Sequence, residues 1–308
     1  MKKVFVLGGI NMDYIIHVNG VPKKGESKPG HSFTSCQGGK GANQAIASKR
    51  LGCDKVYLMA SIGDDHNGKV LKEEMEKNGI DTSGFQINGD MSGTCMITID
   101  DNIKDNFIIV NDASNMKIDP NKIEEFLENN ANSGDIFITQ LENNLDAIYT
   151  GLRVSKSKGL FTIFNPAPAT ILDEEIYKYV DVIIPNESEC KSLTGLDILN
   201  IDDKRKVFEY FNYKGVKEVI VTLGSNGSIY FNKDKTIKMD KVNVNVIDTT
   251  SAGDTFIGAL ASTVYNGGSI KDGLLYSTYA SAITVSRQGS GKSIPNKKEV
   301  TNFMNQSK

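Results

Sequence analysis

The feature that most constrains the fold of this chain is an alternation of short apolar, β-branched runs with longer amphipathic stretches. Several of the runs lack polar alternation, which is typical of strands buried on both faces of a parallel sheet. The predicted strands are Val4–Leu7, Val56–Ala60, Ile136–Thr139, Phe161–Phe164, Val182–Ile184 and Val219–Thr222. The predicted helices are Ala42–Leu51, Lys69–Asn78, Ile123–Asn129, Leu145–Lys158, Arg205–Tyr213, Thr255–Tyr265 and Ile270–Ser286. Because the two kinds of segment follow one another along the chain, the pattern predicts an α/β fold.

Two regions, residues 14–36 and 84–110, break this rhythm with alternating patterns such as Thr94–Ile99 between Asn, Gly and Asp turns. Such alternation predicts antiparallel strands with one exposed face. Since both regions lie in the first third of the chain, we expect them to pair as a small sheet that projects from the main body. A lid over a cleft is the functional interpretation, and an extension of the sheet edge is the alternative. We predict one domain over residues 1–308 with these two lid segments inserted.

Composition excludes several classes of function. The formal net charge of −3 over 308 residues gives no overall basic field for nucleic acid or an acidic membrane. No apolar stretch approaches the length of a membrane span. The four cysteines are far apart and form no C-x-x-C pair, so a disulfide framework or a cysteine zinc site is not expected. We therefore expect a cytoplasmic protein.

The most informative segment is Asp248–Phe256, which follows a strand-like run at Val242–Ile247 and opens an apolar helix. Small residues before a helix leave backbone N–H groups bare, and these groups attract an anion. A carboxylate beside such an anion site, here Asp254, is typical of a base that deprotonates a hydroxyl attacking a phosphate. The alternative is an Asp that only caps the helix.

A second glycine turn, Gly38–Gly41, also leads into a helix. Glycines allow the backbone to approach a polar ligand closely, and Lys40 and Asn43 can donate hydrogen bonds to its hydroxyls. The segment is not a Walker A loop, because glycine rather than Ser or Thr follows Lys40. Residues 289–293 resemble that loop better, but no strand precedes them and Pro295 interrupts any helix, so we interpret them as a false P-loop.

Polar segments also follow several predicted strands. Asn11 and Asp13 are two residues apart after the first strand, so they point the same way and can bind adjacent hydroxyls, although an Asx turn is an alternative. The other segments are Gln140–Glu142, Asn165–Ala169, Pro185–Glu189 and Thr222–Gly227. In an open α/β sheet such strand ends line the ligand crevice, although Asn186 could simply cap a helix. The histidines His17, His31 and His66 lack partner spacing, and we expect a solvated or lid position for them.

Taken in order, these segments resemble the ribokinase family, the PfkB group of carbohydrate kinases, over nearly the whole chain. The Asp-Thr-x-x-Ala-Gly-Asp element at residues 248–254 is highly specific for that family. The resemblance implies a Rossmann-like, three-layer α/β/α domain with a mostly parallel central sheet and a small β-sheet lid. It also implies ATP-dependent phosphorylation of a sugar's primary hydroxyl, with D-ribose converted to D-ribose 5-phosphate as the expected reaction.

The resemblance also implies roles for matching residues. Asp254 would be the general base, and the backbone of Ala252, Gly253 and Asp254 would bind the developing anion. The residues implied to hold the sugar are Asn11, Asp13, Gly39, Lys40, Asn43 and Glu142. The residues implied to border the nucleotide are Asn186, Thr222, Gly224, Ser225, Gly227 and Gly253. Asn186 and Glu189 would help to position Mg²⁺. A K⁺ site would use Asp248, Thr250, Thr284, Arg287, Gly289 and Ser293, mostly through main-chain carbonyls, and two copies would form a homodimer through the lid.

The sequence departs from the family pattern at Ser251, where Ala or Gly is common, and at Gly291-Lys292 near the implied K⁺ ligands. It also carries Asp112-Ala113-Ser114-Asn115 where Gly-Ala-Asn is usual, near the sugar and the lid. Deoxyribose, a ketohexose or a nucleoside therefore remain alternative acceptors. A sugar-binding regulator without turnover is a further alternative. A nicotinamide dehydrogenase would need G-x-G-x-x-G after the first strand, and residues 8–13 do not supply it.

Overall fold

The computed structural model describes residues 2–103, 105–200 and 203–307. Lys104 of the predicted lid segment 84–110, and residues 1, 201, 202 and 308 of the predicted domain, lie outside the described residues. The strands are β1 (Val4–Leu7), β2 (Asn11–Val18), β3 (Gly30–Gly38), β4 (Val56–Met59), β5 (Ser61–Ile62), β6 (Gln86–Ile87), β7 (Gly93–Asp100), β8 (Asp105–Asn111), β9 (Ile136–Thr139), β10 (Phe161–Phe164), β11 (Val182–Ile183), β12 (Glu218–Thr222), β13 (Ser228–Phe231) and β14 (Thr236–Met239). The helices are α1 (Lys40–Arg50), α2 (His66–Lys77), α3 (Pro120–Asn130), α4 (Leu145–Ser157), α5 (Glu187–Thr194), α6 (Lys204–Tyr213), α7 (Ala252–Tyr265), α8 (Ile270–Val285) and α9 (Lys297–Gln306). Short 3₁₀ helices cover Ala113–Lys117, Glu174–Tyr179 and Gly224–Asn226.

The main sheet has the order β14–β13–β12–β11–β10–β9–β1–β4 in the described part of the chain. The pairs from β12 to β4 are parallel, whereas β13 pairs antiparallel with both β12 and β14. At the centre, Val4 of β1 lies opposite Val56 of β4 and Ile136 of β9. Every residue of these three strands is buried, which explains their unbroken apolar runs.

Helices cover both faces of the main sheet. Successive residues of a strand face opposite sides, so Val4 and Val6 of β1 join one core while Phe5 and Leu7 join the other. The first core includes α1, α7 and α8, and the second includes α3, α4 and α6. The predicted three-layer α/β/α fold with a mostly parallel sheet is therefore confirmed.

A second sheet, called here the small sheet, has the order β3–β2–β7–β8. The outer pairs are antiparallel as predicted, but the central β2–β7 pair is parallel, so the prediction of antiparallel strands was wrong for that pair. Asn11 lies opposite Gly93, so both central strands run in the same direction from the main body. Gln86–Ile87, inside the predicted segment 84–110, pairs with Ser61–Ile62 in a separate two-stranded sheet.

The predicted strand at Val242–Ile247 was also wrong. This segment forms no strand in the structure, and Val246 and Ile247 are more than half exposed. The N–H groups of Ile247 and Asp248 instead donate to the carbonyl of Val285 at the end of α8. Alternating Val and Asn residues resemble a strand, but a strand also needs a neighbour with free ladder hydrogen bonds. Among the described helices, none has the length and apolar character required to cross a bilayer.

Candidate active site

A cleft of about 220 Å³ lies at the carboxyl ends of the parallel strands, as expected for an open α/β sheet. Most of its lining residues belong to the predicted site segments, which lie far apart in the chain. The lining residues are Lys40, Asn165, Ala167, Ile184, Asn186, Glu189, Thr222, Thr249, Ser251, Ala252, Gly253, Asp254 and Ile257.

Asp254 lies buried in the first turn of α7, at the third helical position. The cap position is occupied by Ser251, so the interpretation of Asp254 as a helix cap was wrong. Its two carboxylate oxygens accept hydrogen bonds from the side-chain amides of Asn43 at 3.1 Å and Gln44 at 3.0 Å. Gln44 is itself fixed, because its Oε1 accepts from Gln140 Nε2 at 2.6 Å. The carboxylate is therefore held by two neighbouring residues of α1.

The N-terminus of α7 presents backbone amides to the cleft. Thr255 N–H makes the first helical bond, to the carbonyl of Ser251, so the amides of Gly253 and Asp254 precede the helical ladder. Gly253 faces open space, with room for a ligand. Ala252 N–H instead points to Thr249 O at 3.3 Å, so it is less available than predicted. Ser251 sets this geometry by adopting a left-handed conformation with φ of 60°.

The turn before α1 depends on glycine. Gly39 has φ of +91°, and a Cβ there would lie 2.6 Å from the carbonyl oxygen of Gly9. This close approach lets Lys40 N–H donate to Glu142 Oε2 at 2.7 Å, which joins the start of α1 to the segment after β9. Gly39, Lys40 and Glu142 were predicted to hold the same ligand, and the structure brings them together.

The charges in this part of the cleft are strongly coupled. Burial raises the pKa of Glu142 to about 7, against the opposing effect of Lys40. Burial also raises the pKa of Asp254, although Lys40 and the two amides on α1 favour its ionised form. For Lys40 itself burial lowers the pKa, but the carboxylates of Asp254, Glu142 and Glu189 outweigh it and raise the pKa overall. Lys40 is therefore the cation that balances a cluster of acids.

Asn11 and Asp13 lie within β2, so the Asx-turn alternative was wrong. Alternation along the strand places both side chains on one face of the small sheet. Burial, followed by the charge of Glu142, raises the pKa of Asp13 to about 7. Asn11 Oδ1 accepts from Asn115 Nδ2 at 2.7 Å. Asn115, which also binds the backbone of Ile10, was not among the predicted site residues, although its segment had been noted as a departure.

Asn186 both caps a helix and lines the cleft. Its side chain accepts from Glu189 N–H at 2.8 Å, and Glu189 Oε2 accepts from Asn186 N–H at 2.8 Å, which forms a capping box. Asn186 also forms a parallel bridge with Thr222 at the end of β12. The turn after Thr222 has positive φ at Gly224 and Gly227, and Ser225 lies exposed between them. The residues predicted to border a nucleotide are therefore continuous with the cleft.

The residues predicted for a K⁺ site are only partly drawn together. Asp248 accepts from Thr250 N–H and Gly289 N–H, both at 2.9 Å, which joins the two segments. Thr284 directs its hydroxyl into the helix packing, toward Thr255 Oγ1 at 2.9 Å and Ala280 O at 3.2 Å. The Arg287 side chain turns to Glu299 instead. Ser293 Oγ donates to Ser290 O at 2.7 Å.

Comparison with known proteins identifies relatives along the full length. The model of the pfkB family carbohydrate kinases matches residues 1–297. The ribokinase of Haemophilus influenzae is 34% identical over 304 residues, covering 98% of each chain. The deoxyribokinase of Salmonella typhi is 29% identical over 303 residues, again covering 98% of each. Among solved structures, the ribokinase of Arabidopsis thaliana complexed with ribose and ATP has a TM-score of 0.89 at 26% identity, covering 99% of each chain.

Proposed function

Because the chain belongs to the pfkB family of carbohydrate kinases, we propose that it transfers the γ-phosphoryl group of ATP to the primary hydroxyl of D-ribose. The products would be D-ribose 5-phosphate and ADP. The ribokinase relative from Haemophilus influenzae and the Arabidopsis thaliana ribokinase complexed with ribose and ATP support this acceptor and this donor. The observation that carries the proposal is the buried carboxylate of Asp254, held by Asn43 and Gln44 beside the open N-terminus of α7.

In the proposed reaction Asp254 accepts the proton of the primary hydroxyl as its oxygen attacks the γ-phosphorus and ADP leaves. The raised pKa of Asp254 suits this role, because a general base works best when its pKa lies close to the working pH. The amides of Gly253 and Asp254, with Ala252 at the edge, would stabilise the charge that develops on the phosphoryl oxygens. Lys40, which also lines the cleft and interacts electrostatically with Asp254, would add a positive charge.

The sugar hydroxyls would be held by the polar groups that converge above Asp254. We assign this role to Asn11, Asp13, Gly39, Lys40, Asn43 and Glu142. Asp13 and Glu142 lie close enough for the charge of Glu142 to raise the pKa of Asp13. Two neighbouring carboxyl groups such as these can accept hydrogen bonds from adjacent hydroxyls of one sugar.

The nucleotide would lie along Asn186, Thr222 and the turn through Gly224, Ser225 and Gly227. Glu189 fits an indirect role toward Mg²⁺, because one oxygen holds the capping box while the residue also lines the cleft. A bound Mg²⁺ ion would neutralise charge on the ATP phosphates. Asp248, Thr250 and Gly289 are the best-assembled part of a K⁺ site, and the carbonyls of Thr284, Arg287 and Ser293 would complete it. ATP chemistry together with four free cysteines favours the cytoplasm.

We also propose that two copies pair through the small sheet. Each residue of β8, an edge strand, is exposed, including four consecutive apolar residues at 107–110. Phe33 and Met96 add further exposed apolar area on the same sheet. Unprotected apolar edges of this kind are rare in stable monomers. The same sheet would close over the sugar as a lid.

A second acceptor, deoxyribose, is favoured by one observation. The relative from Salmonella typhi that matches over 98% of this chain is a deoxyribokinase. Asn115 holds Asn11, so a change in the segment around Asn115 would act on the hydroxyl-binding end of β2.

The test is ADP release from ATP, Mg²⁺ and K⁺ across ribose, deoxyribose, fructose and adenosine, repeated with Na⁺ in place of K⁺. We expect turnover with ribose far above the others, and lower turnover in Na⁺. Preference for deoxyribose would replace the acceptor but keep the chemistry. Sugar binding without turnover in any mixture would favour the regulatory alternative and contradict the proposal.

A further inference from the structure

Three side chains at the far end of the small sheet form a cluster outside the cleft. His17 Nδ1 lies 3.1 Å from Asp101 Oδ1, and His31 Nε2 lies 2.8 Å from Asp101 Oδ2. One ligand atom from each residue lies within 4.8 Å of the other two. The side chains are 21% exposed for His17, 46% for His31 and 39% for Asp101. The cluster therefore joins three segments at a position that solvent can reach.

A β-bulge brings the two histidines to the same face. His17 of β2 pairs with Ser32 of β3, but the next residue, Val18, pairs with Gly30. His31 is thus the extra residue of the bulge. In a regular ladder it would lie opposite Val18 and face away from His17, since neighbouring residues of a strand alternate. A bulge changes the direction of one side chain. Here the centroids of the two imidazole rings are 6.1 Å apart.

The third member is held by the turn that follows β7. Asp100, which is only 3% exposed, accepts hydrogen bonds from the N–H groups of Gly20, Val21 and Asn102. Asp101 N–H donates to the carbonyl of Val18. These bonds fix the turn against the end of β2 and leave the Asp101 carboxylate directed at both rings. The position of the carboxylate is therefore set by the backbone.

We propose that His17, His31 and Asp101 form a Zn²⁺ site. Two imidazole nitrogens and one carboxylate oxygen are ligands that Zn²⁺ prefers, with water in the fourth position, whereas Mg²⁺ and Ca²⁺ prefer oxygen ligands alone. With bonds of about 2.0–2.1 Å, tetrahedral ligand atoms lie roughly 3.3 Å apart. Each ring nitrogen lies near that separation from one oxygen of Asp101, Oδ1 at 3.1 Å for His17 and Oδ2 at 2.8 Å for His31. One ligand atom from each of the three residues can be chosen within 4.8 Å of the other two, so the remaining separations need to shorten by at most about 1.5 Å.

The bound ion would connect β2, β3 and the turn after β7 at the tip of the small sheet. His17 and Asp13 lie on the same face of β2, four residues apart, or about 13 Å along the strand. The ion would therefore stiffen the strand that carries the sugar-facing residues, at the end remote from the main body. The site itself does not depend on the proposed kinase activity.

The test uses the full chain after removal of metals with a chelator, followed by titration with Zn²⁺ in a calorimeter. We expect one Zn²⁺ per chain whose dissociation constant increases at least about 10-fold in His31→Ala and in Asp101→Asn, because even changes outside the ligand shell cost that much. His66→Ala is the matched control, because His66 is the remaining histidine and is exposed at the start of α2. This variant should bind Zn²⁺ like wild type.

Hydrogen exchange gives a second measurement that is independent of activity. Zn²⁺ should slow exchange at residues 16–18, 30–32 and 99–102 in wild type and not in His31→Ala. Absence of Zn²⁺ binding by wild type would overturn the proposal. Binding that persists unchanged in His31→Ala and Asp101→Asn would also overturn it, because the ion would then lie elsewhere, for example on Cys36 or on the cleft carboxylates.

Discussion

Every residue of β1 and β9 in the main sheet is buried, whereas every residue of β8 at the edge of the small sheet is exposed. The first arrangement fixes strand ends by packing on both faces, and Gln140, which binds Gln44 beside Asp254, directly follows β9. The second leaves apolar side chains such as Phe107 and Ile109 without cover in a single copy. The comparison contrasts a sheet whose central strands are buried on both faces with a sheet whose edge strand is exposed.

The largest expected difference between the two sheets is in stability. Phe137→Ala in β9 should lower the free energy of unfolding by about 3–5 kcal/mol, because it leaves a cavity in a fully packed core. Phe107→Ala in β8 makes the same chemical change at an exposed position and should alter it by less than about 0.5 kcal/mol. Urea unfolding at low protein concentration measures both. Equal losses would show that the small sheet is packed as firmly as the main sheet.

The next effect is on catalysis at the main sheet. Asp254→Asn keeps the shape of the side chain but removes the base, so kcat should fall at least about 10²-fold while ribose affinity changes little. Asp146→Asn, an exposed acid in the first turn of α4, is the matched control and should behave as wild type. Steady-state ADP release and sugar titration separate the two quantities. Wild-type turnover in Asp254→Asn would remove this residue from the mechanism.

A smaller effect is expected on association. Ile109→Lys places a charge in the exposed apolar strand that we propose as the contact between copies, and should raise the dimer dissociation constant at least about 10-fold. Ile171→Lys, at an even more exposed isoleucine outside the small sheet, should have no such effect. Sedimentation velocity over a concentration series distinguishes them. If both variants associate like wild type, β8 does not form the contact.

The smallest effect concerns pH. The pKa of Asp13 is raised from 3.8 to about 7, so the folded protein retains a proton that the unfolded chain loses at lower pH. The folded state thus binds more protons between these values, and stability falls as pH rises through about 7. Asp13→Asn should reduce the difference in Tm between pH 5 and pH 8 by roughly 2 °C or more, measured without sugar. An unchanged difference would mean that Asp13 ionises normally.

The strands of the main sheet could be predicted because burial on both faces leaves unbroken apolar runs such as Phe161–Phe164. The direction of pairing in the small sheet could not be predicted, because the parallel β2–β7 pair joins residues 82 positions apart in the chain. The alternating residues Val242–Val246 have the composition of a strand, but no edge of the main sheet receives them. β13, β14 and α9 were not predicted at all.

The site was predictable where a local pattern carries the chemistry. The glycine turns mark the starts of α1 and α7, and they led to Asn43 and Asp254. Gln44 was missed because its role depends on Asp254, 210 positions away, and not on its own neighbours. The relation of His17 and His31 was missed for a similar reason, since it requires a bulge and a carboxylate from the turn after β7.

The position of α1 has an evolutionary consequence. The backbone amide of its first residue, Lys40, donates to Glu142, and the side chains of its fourth and fifth residues donate hydrogen bonds to Asp254. Gly258 lets α7 approach so closely that a Cβ there would lie 2.4 Å from Ala47 Cβ. A mutation that shifts α1 to admit a new sugar would therefore also misplace the base. New acceptor preferences should arise more readily from β2 and the segment around Asn115, where a change can alter selectivity without loss of turnover.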